Sequence, residues 1–81
     1  MKIPEIKKLC ETYTIEQLRE AEDSLLNERA LLSISVGGDD EGEQLTHVLA
    51  AIWCLQDMKE NNTPLPQAVR NYTVKVRNSI S

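Results

Sequence analysis

The sequence predicts a mainly α-helical fold, a compact four-helix domain with one short extended segment at about residues 31–36 between the second and third helices. Three observations carry this. Apolar residues recur at helical spacing in four stretches, and capping signatures separate those stretches. One run alone, "ALLSISV" at 30–36, alternates with the period of a strand. With 81 residues the chain makes one domain, residues 1–81.

The first stretch, "IPEIKKLCETY", places Pro4 where a first helical position belongs and aligns Ile3, Ile6, Leu9, Cys10 and Tyr13 on one stripe. "TIEQ" reads as a capping box, with Thr14 as N-cap and Gln17 at the third helical position. The second helix follows to about Glu28 and buries Ile15, Leu18, Ala21, Leu25 and Leu26. The corner at Thr12 to Thr14 leaves room only for a tight turn, so these helices should cross steeply.

In "ALLSISV", Leu32, Ile34 and Val36 alternate with Ser33 and Ser35, and Gly37 and Gly38 end the run. The third helix spans about Glu41 to Asn61. Leu45, Val48, Leu49, Ile52 and Leu55 fill one face, and Ala50, Ala51, Cys54 and Met58 much of the other. A helix apolar nearly all round is buried on most sides. "NNTP" stops it and starts the fourth helix, with Thr63 as N-cap and Pro64 at the first position. Leu65, Val69, Tyr72, Val76 and Ile80 form its stripe, predicting burial of Val76 and Ile80 close to the terminus.

Composition excludes several function classes. A net charge of −4 argues against a general nucleic-acid binder, which needs a basic face. No run approaches the ~20 apolar residues of a membrane span, and the opening residues lack the apolar core of a signal peptide. Cys10 and Cys54 lie in apolar helical stretches without CxxC spacing, which predicts two reduced thiols serving as small hydrophobes in a cytoplasmic protein.

The richest stretch is "SVGGDDEGEQLTH", residues 35–47, which gathers four carboxylates and the only histidine. Adjacent Asp39, Asp40 and Glu41 diverge, so no calcium loop forms. Four carboxylates repel a phosphate. Glu43 and His47, four apart on one helical face, could offer a metal two ligands, but completing a site would take a second chain. The structural reading explains more: Asp39 or Asp40 is an N-cap, Glu41 and Glu43 complement the helix dipole, and His47 bonds to Glu43 or a neighbouring chain. No nucleophile–base pair appears, and Cys54 lacks a basic neighbour to lower its pKa. Arg70, Lys75 and Arg77 form a basic face on the last helix, expected to be solvated or to face acidic groups.

"EGEQLTHVLAAIW", flanked by "MKIPEIKKL" and "VRNSIS", resembles a family of short bacterial proteins of unknown function. The resemblance covers essentially the whole chain and implies a stand-alone cytoplasmic protein. It carries over no functional residue, cofactor or partner.

These observations together predict a non-enzymatic, self-associating interaction or structural protein without a cofactor. The unpaired strand edge and the two-sided third helix ask for a second copy, a homodimer first of all. Leu32, Ile34, Ala50, Cys54 and Met58 are the expected interface. The alternative is a small-ligand or metal-binding protein using Asp39 to His47 at a subunit boundary. A nucleic-acid regulator acting through the basic last helix is the weaker third reading.

Overall fold

Among the described residues four helices follow one another: α1 (Ile3–Thr12), α2 (Ile15–Leu26), α3 (Glu41–Asn61) and α4 (Leu65–Ile80). The structure is a computed structural model that describes residues 2–27 and 36–80. At ~1.5 Å per residue, the 21 residues of α3 make a helix almost as long as the molecule's 34 Å greatest extent. α1, α2 and α4 all pack against α3, and α1 also touches α4. Among the described residues no helix is long and apolar enough to cross a membrane.

Local chemistry sets the boundaries. Pro4 lies in the first turn of α1, where its missing N–H costs nothing. Tyr13 leaves the helix in extended conformation, its N–H still bonded to the Leu9 carbonyl at 3.0 Å. Thr14 then forms the expected capping box. The Gln17 N–H donates to its hydroxyl at 3.2 Å, and the Thr14 N–H donates to Gln17 Oε1 at 2.9 Å. α3 ends on Asn62, which adopts the left-handed conformation at φ 54°, a geometry that asparagine tolerates better than most residues.

The core joins Ile6, Leu9 and Cys10 of α1, Leu18 and Ala21 of α2, Val48, Ala50, Ala51, Ile52 and Cys54 of α3, and Ala68 and Val69 of α4. Two expectations about α3 need correction here. Ala50 and Cys54 do not await a partner chain, because both are wholly buried in the chain's own core. Met58 is half-buried against the same core. Small side chains on α3 let neighbouring helices approach closely, so three of them cover both of its faces. Leu49, expected on the buried face, is instead 43% exposed.

Other positions also differ. Leu26, the last residue of α2, is 61% exposed rather than buried. Val76 is only half-buried, and the side chain of Ile80 lies outside the described residues. α4 begins one residue later than its sequence signature, with the Ala68 N–H bonded to the Pro64 carbonyl at 2.9 Å. Thr63 turns its hydroxyl to Asp57 instead, at 3.4 Å. Most of the extended segment, including Leu32 and Ile34, lies outside the described residues; Val36, at its end, is half-buried and packs against the core.

Candidate functional site

The acidic stretch folds where the start of α3 meets the start of α1. Asp40 is the N-cap of α3: its Oδ1 accepts the Glu43 N–H at 2.7 Å, and its carbonyl accepts the Gln44 N–H at 3.0 Å. Glu41 and Glu43 occupy the first turn, where carboxylates complement the positive end of the helix dipole. Gly38 makes the approach possible. Its φ is +150°, and a Cβ there would stand 3.0 Å from the Gln44 backbone nitrogen, a combination that favours glycine.

One turn further on, His47 is fully buried. Its Nε2 accepts the backbone N–H of Lys2 at 2.9 Å, so Nδ1 carries the proton and donates to the Gly37 carbonyl at 2.7 Å. One ring thereby fastens the entry of α1 and the segment before α3 onto α3 itself. This corrects the expectation that His47 would bond to Glu43 or a neighbouring chain. Glu43 Oε1 lies 3.9 Å from Nε2 and 4.0 Å from Lys2 Nζ, beyond hydrogen-bond reach of both. That oxygen is buried without a hydrogen-bond partner, its charge offset by the nearby Lys2 ammonium. Lys2 also reaches Asp39 at 3.8 Å, an exposed pair of little energetic weight.

The geometry bears on the metal reading. A metal would need the Nε2 lone pair, which the Lys2 N–H occupies. Among the described residues no three histidine, cysteine or carboxylate side chains are grouped to hold an ion.

Sequence reasoning missed two other clusters. At the far end of α3, Asp57 accepts hydrogen bonds from Asn61 at 2.8 Å, Asn71 at 3.0 Å and Thr63 at 3.4 Å. The amide of Asn71, then that of Asn61, hold its carboxyl below the usual aspartate range. This ties the α3–α4 corner, and Trp53 and Tyr72 pack beside it with ring centroids 5.7 Å apart. "NNTP" with an aspartate one turn earlier was the available signal.

The second cluster joins the two cysteines. The Cys10 thiol donates to the Ala51 carbonyl at 3.5 Å, and Cys54 belongs to the same core cluster. Interaction with the Cys54 thiol favours loss of a proton from Cys10, and the same interaction, with burial, pushes the Cys54 thiol far up. Nothing in the spacing of 10 and 54 announces the pairing. Arg70, Lys75 and Arg77 are exposed, and among the described residues they form no ion pair; of the two expectations for this face, the solvated one fits and the acidic contact does not.

Neither the curated proteins nor the solved structures contain a match to this chain. The model of a family of unknown function (DUF6952) matches residues 1–81, and the chain belongs to that family.

Proposed function

We propose that this chain is a non-enzymatic interaction protein that associates with a second copy of itself, along residues 30–36 and the exposed end of α2. The observation that carries the reading is Leu26. It closes α2 and, among the described residues, is the most exposed of the large hydrophobic side chains. Leaving a leucine in water forgoes ~1.5–3 kcal/mol of burial. Four residues later the sequence enters "ALLSISV", whose strand period offers an edge on which an identical segment can pair. Two-fold pairing is the commonest closed solution, so a homodimer is the proposed state. Leu26, Leu32 and Ile34 are its contact residues; Ala50 and Cys54 have left the set because they are core. The two free thiols favour a reducing compartment, and the cytoplasm is proposed on that ground.

The commitment of both His47 nitrogens weighs against the ligand-binding alternative, and the net charge of −4 weighs against nucleic acid. Gel filtration of Leu26→Asp and Ile34→Lys beside the parent tests the reading. The parent should elute as a dimer and both variants as folded monomers, with unchanged far-ultraviolet circular dichroism. A dimer indifferent to both charges would move the interface elsewhere and overturn the proposal.

A further inference from the structure

We propose that Cys10 and Cys54 are a peroxide-sensitive thiol pair that closes into an intramolecular disulfide, stapling α1 to α3. The placement of the two side chains carries this, independently of self-association. Cys10 Sγ lies 3.5 Å from the carbonyl oxygen of Ala51. Cys54 sits three residues further along α3, on the next turn, and its Cβ tilts back toward that carbonyl as every helical Cβ tilts toward the N-terminus. Both thiols belong to one core cluster, and each is free.

The two sulfurs are not equivalent. Cys10 retains 9% exposure, whereas Cys54 has none. Interaction with the Cys54 thiol favours the thiolate on Cys10. Cys10 is therefore the attacking sulfur and Cys54 the resolving one. The Cys10 thiolate attacks one oxygen of hydrogen peroxide; the O–O bond breaks and the departing hydroxide takes up a proton as water. The resulting sulfenic acid faces Cys54, whose sulfur attacks it. The S–O bond breaks, and the second hydroxide leaves as water with the Cys54 proton. Two thiols and one peroxide give one disulfide and two waters, the two electrons passing from sulfur to peroxide oxygen.

The closed loop would contain α2 and the whole 30–36 segment, so oxidation constrains the part of the chain between α1 and α3. In a reducing compartment such a bond is transient and reports oxidant, which is how most intracellular disulfides are used.

The test treats the full-length protein with hydrogen peroxide, then denatures it, alkylates it and measures intact mass. The expected product is a single chain about 2 Da lighter with neither thiol alkylated, restored by dithiothreitol. Its melting temperature should exceed that of the reduced protein by more than ~5 °C. In Cys54→Ser, Cys10 should be trapped as sulfenic acid by a dione reagent; in Cys10→Ser, buried Cys54 should stay alkylatable. Parent protein with both thiols still alkylatable after peroxide, or cross-linked only between chains, would overturn the proposal. So would equal oxidation of the two single variants, each checked for folding by circular dichroism.

Discussion

The imidazole of His47 accepts the backbone N–H of Lys2 across 45 residues of sequence, at 2.9 Å. Its other nitrogen holds the Gly37 carbonyl, so one buried ring closes the junction of α1, α3 and the segment that leads into α3. His47→Ala strands a backbone donor and a backbone acceptor and leaves a cavity. Urea unfolding should register a loss of ~2–5 kcal/mol, against less than ~1 kcal/mol for alanine at exposed Glu41. Equal losses at both positions would remove His47 from its anchoring role.

Gly38 and Gly37 should respond unequally to alanine. At Gly38 a Cβ meets the Gln44 backbone at a φ of +150°, and nothing there can yield cheaply. Gly38→Ala should cost more than ~1 kcal/mol. At Gly37 the new methyl would collide only with the Glu5 carboxylate, the end of a flexible side chain. Gly37→Ala should cost clearly less, and thermal melts of the two variants make the comparison.

Those two sites divide what the sequence shows from what it hides. The Thr14–Gln17 capping box and an aspartate cap at Asp39 or Asp40 were legible because each is closed within three residues of chain. The last residues of α1 and α3 were legible for the same reason. His47 with Lys2, and Cys10 with Cys54, were hidden because each pair meets only through packing of α1 on α3. Periodicity also fails on a helix covered from several sides. Leu45, Val48, Leu49 and Ile52 look alike on the α3 wheel, yet Leu49 is the one left exposed. Ala68 escaped notice because a small residue carries no apolar signal of its own, although it is wholly buried in the core.

The Asp57 cluster predicts a pH dependence with a definite sign. Hydrogen bonds from Asn71 and Asn61 lower its folded pKa below the ordinary 3.8. The carboxylate therefore contributes stability that is fully present above that ordinary value and is lost as pH falls through the folded pKa. Asp57→Asn should flatten this part of the acid limb in denaturant midpoints measured from neutral pH downward. An acid limb identical in parent and variant would contradict the assignment.

Along α4 the anchoring is toward its start. Val69 is 5% exposed and belongs to the core, whereas Val76 is half-buried outside it. Val69→Ala should cost ~1–3 kcal/mol and Val76→Ala less than half of that. The reverse order in chemical denaturation would mean that the end of the helix, rather than its beginning, holds it in place.

Self-association is the central claim, and sedimentation equilibrium of the unmodified, reduced protein at micromolar concentrations tests it most directly. The account predicts a mass twice the 9.2 kDa of the single chain, falling toward that value on dilution. A mass of one chain at every concentration would contradict it.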